Sequence, residues 1–300
     1  MKTILVTGGT TFVSRYVAEY FVSKGNKVFV LNRNTKPQSM GVTLIEADRK
    51  NLGDALNGYS FDVILDVTAY NENDINALLN ATSSFENYIM ISSSAVYPEY
   101  IPQPFKENSE IGENKIWGKY GTDKVKAEKT LLSRVPNAYI LRPPYLYGPM
   151  NNVYREAFVF DCALQKRQFY IPENSEMQLQ FLHIDDLCRF IDIVIEQKPM
   201  QHIFNVGNKN TVTVKEWSKL CYNVANENMQ LKQAPKEIEQ RKYFPFYNYE
   251  YYLDVSSQYK LMPETKDLEN GLKESFEWYI KNKDKVIKKP FIEFIDSALK

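Results

Sequence analysis

Short apolar runs recur along the first half of the chain, each followed by a polar turn and an amphipathic stretch. Lys2–Val6 reads as a strand, because a short apolar run suits a strand buried on both faces. TGGTTFVS follows it, then apolar positions at helical spacing through Val22. Val28–Leu31 and Val42–Glu46 are a second and a third strand. An amphipathic stretch near Leu52–Leu56 precedes a fourth, FDVILDVTAY. The pattern then predicts a helix from about Asn73 to Asn80, the strand-like run YIMISSSAVY, a helix within WGKYGTDKVKAEKTLL, and a sixth strand over Ala138–Leu141. Strands alternating with helices predict an α/β fold with a parallel sheet covered on both faces. Right-handed crossovers make such a sheet doubly wound and place ligands at the carboxyl ends of its strands. Beyond Pro149 the alternation weakens: FLHIDDLCRFIDIVI and HIFNVG still read as helix and strand, but aromatic loops dominate.

Composition narrows the classes. The chain is 44% hydrophobic and 25% charged, with zero net charge, which provides no electrostatic footprint for nucleic acid or an anionic membrane. KNKDKVIKK near the C-terminus reads as a solvated helix end. Cys162, Cys188 and Cys221 form no CxxC pair, which suits a reducing, cytoplasmic setting. No segment reaches the ~20 apolar residues of a membrane span. His183 and His202 have no metal-ligand spacing, so no metal site is expected.

The candidate chemistry centres on Tyr120 and Lys124, one helical turn apart and therefore on one helix face, roots about 5–6 Å from each other. An ammonium so placed lowers the pKa of a phenol, and a tuned phenol can take a proton from a substrate hydroxyl. Other Tyr–Lys pairs at this spacing, Tyr20/Lys24 and Tyr279/Lys283, read as amphipathic-helix surface. Only Tyr120 follows a strand ending in serines, where Ser93 offers a second hydroxyl.

ILVTGG, DVTAY, ISSSAVY, YGTDK, LRPPYLYGP, FLHIDDL, FNVG and DVSSQYKL occur in this order. Together they resemble the extended short-chain dehydrogenase/reductase family, the group of nucleotide-sugar epimerases and dehydratases. DVTAY and KYFPFYNYEYYLDVS look closer to an atypical branch that includes chloroplast stem-loop-binding proteins. The resemblance implies a doubly wound parallel Rossmann sheet with a smaller mixed α/β C-terminal domain. The dinucleotide-binding domain is expected over 1–148 and the substrate-binding domain over 149–300, with parts of 179–208 returning to the first. It also implies Tyr120 as acid/base, Lys124 on the nicotinamide ribose and Ser93 on the substrate oxygen.

For the cofactor, the resemblance marks the loop Thr7, Gly8, Gly9, Thr10, Thr11, Phe12 and Val13, where glycines permit a tight turn and backbone approach to a pyrophosphate. Thr11 and Ser14 stand where two further glycines are expected. At the end of the second strand Asn32 replaces the usual acid and Arg33 follows, a change favouring a 2′-phosphate and so NADP over NAD; an exposed loop arginine is the alternative. Asp48 is expected near the adenine, with Arg49 beside it. Val67, Thr68 and Ala69 should line the nicotinamide side, with Pro143 and Tyr145 across from them.

Departures limit the chemistry. The carboxylate pair of the 4,6-dehydratases is replaced by Ser94 and Ala95, so water elimination lacks its acid and base. Tyr145 and Leu179 stand where nucleotide-sugar enzymes have Asn and Arg on the diphosphate. Candidate substrate contacts are Ser94, Trp117, Tyr145, Arg155 and Arg241, with Tyr70 either pocket wall or core. His183 takes a structural place, and Asp185 or Asp186 is expected to cap the helix after it. The expected activity is that of an NAD(P)-dependent epimerase or alcohol/ketone oxidoreductase on a sugar-like, possibly nucleotide-linked, substrate, in a possible homodimer. The alternative is an RNA- or protein-binding, or cofactor-sensing, member with a vestigial site.

Overall fold

A computed structural model describes residues 1–299. Its main sheet contains β1 (Thr3–Thr7), β2 (Lys27–Asn32), β3 (Val42–Glu46), β4 (Ser60–Asp66), β5 (Ser84–Ile91), β6 (Tyr139–Arg142) and the strand Ile203–Asn205. Across the sheet the order is Ile203–Asn205, β6, β5, β4, β1, β2, β3, and every neighbouring pair is parallel. Chain order reverses between β1 and β4, and the crevice above this switch point is where ligands bind in such sheets.

The strands alternate between two cores. Ile4, Val6, Val30, Val63, Leu65 and Ile89 face α1 (Phe12–Ser23) and the helix Ile184–Gln197, through Val17, Phe21, Leu187 and Ile191. Leu5, Phe29, Ile64, Met90 and Ile140 face α2 (Glu72–Ala81) and α3 (Lys119–Arg134), through Ile75, Leu78 and Leu131. Each such large side chain contributes roughly 1.5–3 kcal/mol by leaving water. The result is the doubly wound arrangement that the apolar runs predict. A further core, containing Phe158, Phe160, Trp217, Phe244 and Phe246, is tied to the sheet by a parallel ladder between Tyr145–Tyr147 and Phe181–His183.

Several local expectations are corrected. The amphipathic stretch Leu52–Leu56 forms successive turns, with both leucines buried. The fourth strand ends at Asp66, because the Thr7 hydroxyl accepts the amides of both Val67 and Thr68 at 3.0 Å and bends the chain away. β5 stops at Ile91, and Ser93 instead caps a short 3₁₀ turn, Ser94–Val96. Neither Asp185 nor Asp186 caps the helix Ile184–Gln197; His183 does, accepting the Asp185 amide. Asp186 instead accepts the Lys266 amide at 2.8 Å and pairs with Arg189. Among the described residues no helix is long and apolar enough to cross a membrane.

Candidate active site

The loop after β1 enters the switch-point crevice. Gly8 and Gly9 hold φ of +94° and +93°, a region L side chains avoid. A Cβ on Gly8 would lie 2.8 Å from Ser14 Oγ, and one on Gly9 would lie 2.5 Å from Val30. The two missing glycines are absorbed locally. Thr11 sits in extended backbone as the residue before α1, which any side chain tolerates. Ser14 turns its hydroxyl back onto the Thr11 carbonyl at 3.0 Å and fills the space beside Gly8. Asn32 closes the loop by donating to the Gly8 carbonyl at 2.7 Å.

A cleft of about 570 Å³ brings this loop together with the catalytic candidates. Thr10, Thr11, Phe12, Val13, Val67, Thr68, Tyr70, Ser93, Trp117, Tyr120, Lys124, Pro143, Tyr145 and Arg155 all line it. Gly121 sets the approach of α3: its Cβ position lies 2.5 Å from the Ala95 carbonyl, so only glycine lets the helix come so close to the 3₁₀ turn. Tyr120 thereby reaches hydrogen-bonding contact with Ser93, whose own oxygen accepts the Ala95 amide at 3.2 Å. The neighbouring serines do different work. Ser92 is buried and donates to Glu128, itself paired with Arg142. Ser94 is buried behind the cleft, hydrogen-bonded to Tyr251.

Lys124 is 2% exposed and donates to the carbonyls of Ala69 (2.7 Å) and Ile91 (2.9 Å). Burial pulls its pKa down to about 8, against the upward pull of the Asp66, Glu128 and Asp74 charges. Tyr120 is 43% exposed, yet desolvation pushes its phenol up, with Ser93 partly offsetting this. The lowering expected from the Tyr–Lys spacing is therefore not present in this arrangement. The ammonium is committed to two carbonyls and lies 5.3 Å from the Tyr70 ring, while burial dominates at the phenol.

Other candidates are placed away from the cleft wall. Arg49 turns inward and clamps fully buried Asp66 through two bonds of 2.5 and 2.6 Å; Thr7 and Tyr88 donate to the same carboxylate. This network lowers the Asp66 pKa from its usual value despite its burial, and it commits Arg49 to the fold. Asp48 is exposed and accepts the Lys50 amide within its own turn. Ala69 is buried and contributes its carbonyl to Lys124. Arg33 is exposed and has no hydrogen bond or ion pair among the described residues. Arg241 does not line the cleft: it lies 4.5 Å from the Tyr247 ring and donates to the Phe244 and Pro245 carbonyls. His183 is fully buried, and burial and Lys266 draw its pKa down to about 3, so it is a neutral structural side chain.

Sequence reasoning missed Tyr251, Asn151 and Asn152, which line the same cleft. Tyr251 belongs to an aromatic wall: Trp117 meets Tyr145, Tyr247, Tyr249 and Tyr251 edge-on, with centroids 5.5–6.5 Å away. The signal was present in the alternation of Tyr247, Tyr249 and Tyr251, which puts extended residues on one side.

A family model described as NAD dependent epimerase/dehydratase family matches residues 4–207. The chain is 26% identical over 302 residues to the chloroplast stem-loop binding protein of 41 kDa b from Arabidopsis thaliana, covering 92% of this chain and 78% of that protein. Among solved structures, dTDP-glucose 4,6-dehydratase from Bacillus anthracis in complex with NAD has a TM-score of 0.77 at 17% identity, covering 95% of this chain and 99% of that one. UDP-glucose 4-epimerase from Thermotoga maritima with UDP-glucose has a TM-score of 0.76 at 19% identity, covering 93% and 99%. At these identities the structural likeness is one of fold.

Proposed function

The chain belongs to the NAD dependent epimerase/dehydratase family, and from that premise we propose that it is an NAD(P)-dependent epimerase or alcohol/ketone oxidoreductase. One observation carries the reading: Ser93, Tyr120 and Lys124 line a single cleft with the Gly8–Ser14 loop. The loop fits a dinucleotide, because Gly8 and Gly9 hold the positive φ of its tight turn, Gly8 meets the cleft with backbone alone, and the N-terminus of α1 adds amide donors for phosphate.

A bound nicotinamide supplies hydride exchange; the chain supplies orientation and proton movement. Ser93 hydrogen-bonds the substrate oxygen as it changes between hydroxyl and carbonyl. Tyr120 takes the hydroxyl proton in the oxidative direction and returns it in the reductive one. Lys124, anchored on Ala69 and Ile91, presents its remaining donor to the ribose and supports negative charge at Tyr120 when it turns toward it. Ser94 and Ala95 leave elimination without carboxylates, so a 4,6-dehydratase is disfavoured. Arg33, exposed and unpartnered among the described residues, supports preference for a 2′-phosphate.

Calorimetric titration with NAD, NADH, NADP and NADPH tests this. NADPH is expected to bind tightest, and Arg33→Ala to weaken NADPH about 10- to 100-fold, the worth of one or two charge-assisted bonds, without changing NADH. Indifference to all four would end the enzymatic reading. The likeness to a stem-loop binding protein supports a second reading, RNA retention. Salt-dependent RNA binding without dinucleotide binding would replace the first.

A further inference from the structure

The aromatic part of the cleft has chemistry that the glycine-loop part does not share. Only two cations line the whole cleft, Lys124 and Arg155, and no carboxylate does, among the described residues. Lys124 belongs to the catalytic set. Arg155 is already neutralised: its Nε lies 3.1 Å from Glu156, its Nη2 donates to the Leu146 carbonyl, and its plane sits 5.3 Å from the Tyr145 ring. Arg241, the other candidate for a phosphate, is pinned to Tyr247 and two backbone carbonyls.

A diphosphate entering here would meet no cation on the cleft lining free of partners, Arg241 keeping its charge outside that lining, and burying uncompensated charge is costly. What the region does offer is ring surface from half-buried Trp117 and Tyr145, with buried Tyr251 packed against both and the Tyr145 and Tyr251 hydroxyls in mutual hydrogen-bonding contact. Burial pushes the Tyr145 phenol up to about 12 and the Tyr251 phenol well above its usual value, so both stay neutral. Rings so arranged receive the flat CH face of another ring, with phenols at the edge for hydroxyl groups.

Resting on the hydride-transfer reading above, we propose that this site takes an uncharged cyclic alcohol or ketone, a sugar-like ring without a nucleoside diphosphate. In its oxidation the substrate C–H and O–H bonds break and C=O forms. The hydride passes to the oxidised nicotinamide, which is reduced, and the hydroxyl proton passes to the Tyr120 phenolate, whose own proton has first gone to solvent with Lys124 turned toward it.

The test uses the full chain with saturating NADP and reads tryptophan fluorescence, Trp117→Phe identifying the cleft signal. The probes are myo-inositol, methyl galactoside and cyclohexanone against UDP and UDP-glucose. At least one neutral ring is expected to quench saturably at millimolar concentration. Tyr251→Ala should weaken that binding at least tenfold while dinucleotide affinity changes less than threefold. UDP should leave the signal unchanged. Micromolar binding of UDP or UDP-glucose with the dinucleotide bound would overturn the substrate class alone, as would no response to any neutral ring. Absence of dinucleotide binding would instead overturn the hydride-transfer reading from which it follows.

Discussion

The glycine-loop part of the cleft and its aromatic part are built by different rules. The loop is a backbone device: Gly8 and Gly9 hold positive φ against Ser14 and Val30, and Asn32 latches it from the adjoining strand. The aromatic wall is a side-chain device, in which Trp117 before α3 meets Tyr145 and the Tyr247–Tyr251 segment. Backbone devices tolerate little, since a single Cβ meets hard atoms. Side-chain walls can exchange one ring for another and retune what they bind. One part of such a cleft can therefore stay fixed while the other diverges, and Ser93, Tyr120 and Lys124 line the same cleft as both.

The sharpest way to separate the two parts is to remove the chemistry between them. Tyr120→Phe deletes one oxygen from a side chain that is 43% exposed, so the fold should be untouched. Turnover of a substrate identified with the wild type should fall about 10²- to 10⁴-fold, the range for losing a positioned acid/base. Dinucleotide affinity should stay within threefold. Full turnover by this variant would remove Tyr120 from the mechanism.

Breaking the loop alone is the next largest effect. Gly8→Ala forces a Cβ to 2.8 Å from Ser14 Oγ at φ +94°, and strain of this kind costs about 1–3 kcal/mol. Dinucleotide affinity should drop roughly 5- to 100-fold, with neutral-ring binding to the free chain nearly unchanged. Adding Ser14→Gly removes the nearest clash and should restore part of the loss, measured by the same calorimetry. If Gly8→Ala weakened both ligands equally, the two parts would not be independent.

The same contrast governs what could be read from the sequence. The parallel sheet was legible because each strand carries its own apolar run, and the loop because a glycine's φ demand is local. That Tyr120 and Lys124 fall together on the cleft was legible for a similar reason, since they share one helix turn. Arg49 was misassigned because its partner Asp66 comes from the next strand, β4, and only folding brings the two together. Tyr251 was overlooked because the alternating tyrosines acquire meaning only once Trp117 lies against them.

The smallest predicted effect concerns Lys124, which joins the segment after β4 to the end of β5 through the carbonyls of Ala69 and Ile91. Burial places its folded pKa at about 8, below the 10.5 of an unburied lysine. Between those values the unfolded chain holds a proton that the folded chain has released, so stability rises with pH across that window and is lost as pH falls through about 8. Dinucleotide binding that depends on the ammonium must run the other way, weakening as pH rises through about 8. For one linked proton the loss from about pH 7 to about pH 9 is roughly tenfold. The cleft phenols do not obscure this, because burial moves Tyr120, Tyr145 and Tyr251 all upward. Lys124→Arg keeps its charge across the range, so its affinity, although weaker from the larger head group, should lose the slope. A slope unchanged in that variant would assign the titration elsewhere and detach Lys124 from cofactor binding, leaving it as an anchor between two strand ends.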